Sequence, residues 1–233
     1  WPPSGFPLLI FGAFVPLFLI VKDLQKKRFA LVYSFLVFAL WNIFTTYWIY
    51  NASLFGAVAA VCVNSILMAS VFTLFILLKS KFNDRRAWWA LISFWLSFEY
   101  LHLNWDLSWP WLTLGNVFAH YPQFIQWYEY TGTLGGSLWI LLANIILYHS
   151  IKNKSKYVLA IAVITLPILF SFLIKTNNKT GKVVEIVVVQ PNIDPYFEKF
   201  DDLTSVQQLE KFIGLAESKL DSTTDYLIGP ETA

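Results

Sequence analysis

Cysteine and charge are the scarce ingredients of this chain. One residue in 233 is cysteine, Cys62, and 14% are charged, against roughly a quarter in soluble domains. A single thiol excludes an internal disulfide framework and any multi-cysteine metal site. His102, His120 and His149 are scattered at spacings that gather no metal ligands, so neither metal nor cofactor is expected. The net charge is only +2, and no polar segment interleaves basic residues with aromatics, which removes nucleic acid from the expected partners. A basic leader with a small-residue cleavage site is missing as well. The chain starts at Trp1 and not at methionine, and it reads as a piece of a longer protein.

What is abundant is apolar surface: 57% of residues are hydrophobic, and the mean hydropathy is +0.54. Runs of the length needed to cross a bilayer lie at 6–21, 30–50, 54–78, 87–103, 131–148 and 157–174. The connections between them alternate in charge. "KDLQKKR", "KSKFNDRR" and "KNKSK" are basic, whereas "NAS" and the segment 104–130 hold no Lys or Arg. The positive-inside rule places the basic connections in the cytoplasm. Trp1 then starts outside, and "WPPSG" suits a turn following an earlier span.

Three features of the apolar part stand out. Cys62 falls mid-span, where a thiolate has neither water nor charge to support it, and is expected to be a small apolar filler. Glu99 lies toward the outer end of the fourth span, a costly place for a carboxylate unless it is paired or wet. Functional and interfacial roles both fit it. The 104–130 segment concentrates Trp105, Trp109, Trp111 and Trp127 with three tyrosines. It fits an aromatic belt at the interface or a vestibule for acyl chains.

Past Ile174 the composition changes. A polar linker at 175–182 leads to "VVEIVVVQPNID", a β-branched run of the kind buried on both faces of a sheet. Apolar residues then recur at helical spacing from Leu203 to Leu220, and "DYLIGPETA" supplies a second strand broken by Gly229-Pro230. Strand, helix, strand is the opening of an α/β domain. Glu231 stands just past the second strand, at the end where open α/β sheets place their chemistry.

Four stretches in order carry a family likeness: "WPPSGFPLL", "FEYLHLNWDLSWPWLTLGN", "YTGTLGGSLWILLANIIL", and the pair "VVQPNI" and "PETA". Together they resemble the bacterial apolipoprotein N-acyltransferases. The resemblance implies a multi-span α-helical membrane bundle at 1–174. It also implies the start of a periplasmic nitrilase-like αββα domain at 183–233, on the outer side of the bacterial inner membrane. The implied reaction moves a fatty acyl chain from a phospholipid to the N-terminal amine of a diacylglyceryl-modified apolipoprotein, through a thioester on the enzyme. Glu231 takes the position of the general base in "PETA". The family's Lys and Cys partners fall after it, so the chain alone is expected to be inactive. Trp111, and less directly Trp109, match the family's Pro-Trp-Leu loop and become lipid-site candidates together with Glu99. Asn144 matches a family Asn and suits a hydrogen bond between helices. Phe200 stands where the family commonly has Trp, so the resemblance assigns no specific role to Lys199. A membrane-tethered nitrilase-like module without catalysis and a transporter component are the alternatives. The spans show no internal symmetry that would favour the latter.

Overall fold

The computed structural model describes residues 5–23, 29–51, 53–106, 112–174, 181–193 and 204–230. The chain divides into two compact units, Trp1–Lys175 and Thr176–Ala233.

The first unit is helical. A 3-10 segment, Pro7–Gly12, leads into α1 (Val15–Asp23) and is followed by α2 (Ala30–Thr46), α3 (Leu54–Lys79), α4 (Asp84–Leu103), α5 (Tyr128–Lys152) and α6 (Lys156–Leu173). Among the described residues four helices are long and apolar enough to cross a membrane: Ala30–Asn51, Leu54–Lys79, Tyr128–Lys152 and Lys156–Leu173. The run at 6–21 is not one helix; proline opens it as a 3-10 turn, and the helix proper starts at Val15. The run at 87–103 begins three residues earlier than its apolar stretch. Asn83 caps α4 by accepting from Arg86 N at 3.0 Å, so Asp84, Arg85 and Arg86 join the helix and dilute its apolar character.

Helices in lipid have no hydrophobic drive to associate and rely on close packing and on hydrogen bonds. Both are visible. Phe14, Phe18, Phe38, Phe72, Phe75 and Trp95 are fully buried. Phe14 meets Trp95 edge-on at 5.1 Å, and Phe18 stacks on Phe72 at 5.8 Å, within the range of favourable ring pairs. Between α2 and α3 a polar knot runs through the apolar core. Asn64 Nδ2 donates to Asn42 Oδ1 at 2.7 Å, and Asn42 Nδ2 donates to Ser65 Oγ at 3.0 Å.

Two side chains of α5 repair broken backbone elsewhere. Pro167 has no N–H, so Val163 O in α6 loses its usual helical donor; Trp139 Nε1 takes that place at 2.7 Å. Asn144 serves the break before α1, as the sequence suggests: its Oδ1 accepts from Phe14 N at 2.9 Å and its Nδ2 donates to Ile10 O at 2.8 Å. Irregular backbone inside a bilayer is tolerated only when a partner of this kind is supplied. Asn144→Leu orphans Phe14 N, and an unsatisfied buried donor costs about 1–3 kcal/mol. The variant should therefore melt measurably earlier in detergent. An unchanged midpoint would mean that the break before α1 does not depend on this side chain. Cys62, by contrast, does not fill a packing gap. It is exposed on the outward face of α3.

The second unit is smaller. Strands β1 (Ile186–Val188) and β2 (Tyr226–Ile228) pair in parallel, Val187 opposite Leu227, and α7 (Ser205–Glu217) connects them. A capping box starts α7: Thr204 Oγ1 accepts from Gln207 N, and Thr204 N donates to Gln207 Oε1 at 2.9 Å. This fixes the start two residues after the apolar repeat begins. The strand expected to be buried on both faces is largely exposed, and β2 is exposed throughout. The reason is physical: one helix cannot cover two faces of a parallel pair. In the turn before β2, Thr223 N donates to Asp221 Oδ1 at 2.8 Å. Hydrogen bonds from Thr223 hold the Asp221 carboxyl below the ordinary range. That support is present at neutral pH and is lost as pH falls through the lowered value.

Candidate functional site

The site is built around the return of the 104–130 connection into the bundle. Residues 112–118 fold back as a buried strip, with Leu114–Phe118 forming a 3-10 turn. Thr113, Leu114, Val117 and Phe118 are all buried. A buried turn must find partners for its backbone polar groups, and three side chains from α4 and α5 provide them.

Glu99, one turn from the end of α4, is 3% exposed. Its Oε1 accepts from Trp95 Nε1 at 3.0 Å on its own helix and from Leu114 N at 2.8 Å on the connection. Ser137 Oγ in α5 accepts from Gly115 N at 2.9 Å. Tyr128, at the start of α5, donates its hydroxyl to Gly115 O at 3.1 Å. Two consecutive residues of the connection are thus held by a carboxylate, a hydroxyl and a phenol. Glu99 Oε2 is buried without a hydrogen-bond partner of ordinary geometry among the described residues, and the Ser137 hydroxyl lies close to the Glu99 carboxyl.

Sterics close the clamp. A Cβ on Gly115 would collide with the Thr133 carbonyl, and one on Gly136 with the Tyr128 hydroxyl. Gly132 is required for a different reason. It kinks α5 at φ 64°, in a region that other residues rarely adopt, although nothing crowds its Cβ position. Phe118 packs against Trp139 at 5.4 Å, and Trp127 meets Trp139 at 5.6 Å, so the aromatic connection is continuous with the core.

On the other side of Glu99 a cavity of about 10 Å³ lies between Asn64, Met68, His102, Leu112 and Thr113, room for a single water. Asn64 Oδ1 and both His102 ring nitrogens are buried there without a protein partner among the described residues. Further along, α5 and α6 border an apolar groove of about 880 Å³ that includes Trp127, Tyr130, Leu138, Leu142, Leu166 and Phe170. Among the described residues no group of three His, Cys, Asp or Glu side chains is positioned to hold a metal ion.

Of the residues singled out in the sequence, Glu99 is described and sits at the centre of the clamp. Its hydrogen bonds go to the protein, which suits a residue that positions the connection. Trp109, Trp111 and Glu231 lie outside the described residues, as do Lys199 and Phe200. Ser137, Tyr128 and Gly115 were not legible as a site. Each is an ordinary residue of an apolar span or loop, and their meeting depends on contacts across 13 to 22 positions.

The family model described as Apolipoprotein N-acyltransferase N-terminal domain matches residues 1–146. The apolipoprotein N-acyltransferase of Chlorobaculum tepidum is 27% identical over 246 aligned residues, which cover 100% of this chain and 46% of that protein. The chain thus spans about half the length of this curated relative. No solved structure matches the chain. With the family model covering well over half of its residues, including the whole clamp around Glu99, the chain belongs to the apolipoprotein N-acyltransferase family.

Proposed function

We propose that this chain provides the membrane platform, and the opening of the catalytic domain, of an enzyme that N-acylates lipoproteins. The observation that carries the proposal is the similarity to the Chlorobaculum enzyme along the whole chain. The acyl donor is a bilayer phospholipid, and the acceptor is the α-amine of a diacylglyceryl-modified N-terminal cysteine. The protein sits in the bacterial inner membrane, with unit two on the periplasmic side as part of a nitrilase-like domain.

The chemistry assigned to Glu231 is proton transfer. It takes the proton of the family's cysteine thiol as sulfur attacks the phospholipid ester carbonyl. It then returns that proton to the departing glycerol oxygen, leaving a thioester and a lysophospholipid. In the second half-reaction the lipoprotein amine attacks the thioester, Glu231 accepts the amine proton, and the thiol is regenerated as the amide forms. The family's lysine stabilises the oxyanion in both steps. Glu99, Ser137 and Tyr128 support this by fixing the connection that carries Trp109 and Trp111, the aromatic residues assigned to the donor lipid. The apolar groove between α5 and α6 offers an acyl chain walls almost free of polar groups.

Two measurements on the full-length enzyme test the proposal. Trp111→Ala should raise KM for the phospholipid and leave KM for the lipoprotein peptide unchanged; unaltered kinetics with both substrates would return Trp111 to the interfacial belt. A topology reporter fused after Asn153 should read cytoplasmic, and one after Asn178 periplasmic. The reverse pattern would place unit two on the wrong side of the membrane for this reaction.

A further inference from the structure

At the end of the bundle that carries the basic connections, α4 and α5 leave a groove of about 340 Å³. Asp84, Arg85 and His149 form its mouth, and Trp88, Ile92 and Leu142 line its depth. From Asp84 to Ile92 the helix advances about 12 Å, so the groove passes from the charged first turn of α4 into the apolar part of the bundle. The connections that flank the mouth are predominantly basic. Residues 79–86 and 152–156 together carry seven basic side chains and a single acid, Asp84. Lys156, Lys79 and Lys152, and with the opposite sign Asp84, all lie near enough to the His149 ring to influence it.

The wall also holds a positioned cation. Lys79 Nζ is held 4.6 Å over the Trp88 ring and 5.5 Å from the Tyr148 ring, which fixes a cation beside the groove by its aromatic faces. The groove therefore combines apolar depth with a mouth flanked by basic connections.

We infer that this groove binds an anionic phospholipid, with the phosphate at the mouth beside Arg85 and the flanking Lys152 and Lys156, and the upper acyl chain against Trp88, Ile92 and Leu142. A basic pocket between spans selects acidic headgroups. An acidic peptide would leave the apolar depth unused, and the ammonium of a zwitterionic lipid would meet one carboxylate among seven cations. The site is separate from the donor lipid of the proposed reaction: Asp84 and Glu99 are about 22 Å apart along α4.

The test uses full-length protein in a neutral detergent, offered equal amounts of phosphatidylglycerol and phosphatidylcholine with identical chains and examined by native mass spectrometry. Phosphatidylglycerol should be retained with a preference of roughly tenfold or more, since each basic group near a headgroup contributes about fivefold. The triple variant Arg85→Gln, Lys152→Gln, Lys156→Gln, all at exposed positions, should lose that preference. A control with as many charges removed outside the groove lining, Lys81→Gln, Arg86→Gln, Lys154→Gln, should keep it. Glycerol 3-phosphate in excess should not displace the lipid. Equal retention of both lipids by the wild type, equal losses in the two triple variants, or displacement by glycerol 3-phosphate would each overturn the inference.

Discussion

Glutamine at position 231 of the full-length enzyme should halt acyl-enzyme formation, slowing it by roughly 10²–10⁴-fold, the usual contribution of a positioned general base. The substitution keeps the size and the hydrogen-bonding reach of the side chain and removes only its ability to take a proton. Membrane insertion and the folding of the helical unit should be untouched, because Glu231 follows β2 in the other compact unit. The decisive comparison is the rate at which enzyme-bound acyl chain accumulates from phospholipid with no acceptor present. Accumulation at the wild-type rate would mean that another group activates the thiol and that the "PETA" match had been misread.

The second large effect belongs to Glu99. Leucine there removes the acceptor for both Trp95 Nε1 and Leu114 N. Each orphaned buried donor costs about 1–3 kcal/mol. Glutamine retains a carbonyl oxygen able to accept from both donors, so Glu99→Gln should stay close to wild type. If the clamp positions the tryptophan-bearing connection, Glu99→Leu should raise KM for the phospholipid several-fold while altering kcat less, and Glu99→Gln should restore KM. Should both variants show unchanged KM and differ only in thermal stability, Glu99 would be a packing residue and nothing more. Equal damage from both would show that the negative charge itself matters.

The sequence made some of this legible and left the rest hidden for identifiable reasons. Asn144 announced itself because an amide inside an apolar span needs a partner, and it has partners on the backbone before α1. Glu99 announced itself by the same cost, but its partner, Leu114 N, is 15 residues away. No periodicity within α4 points to it. Ser137 and Tyr128 carry no such cost signal, since serine and tyrosine are common in spans and at their ends. Their function emerges only when the 112–118 strip is laid against α5.

Element boundaries followed local chemistry more than hydropathy. α4 begins at Asp84, not with the apolar run at 87, because Asn83 caps it. The proline-rich start yields a 3-10 turn before α1. The β-branched run at 183–189 contributes only Ile186–Val188 to the sheet, since β2 offers three residues to pair with. The burial expected of that strand failed for a related reason: β-branched composition reports what a strand can bury, and burial itself depends on what covers it.

The proposal as a whole stands on one relay, from a phospholipid ester to a protein thiol to a lipoprotein amine. Full-length enzyme in liposomes, given phospholipid with a labelled acyl chain and later a diacylglyceryl-cysteine peptide, tests it directly. Label should appear first on the enzyme, in a form released by hydroxylamine as a thioester is, at a cysteine other than Cys62. It should then move to the amine of the peptide. Label that reaches the peptide without ever residing on the enzyme, or that never leaves the lipid, would contradict it.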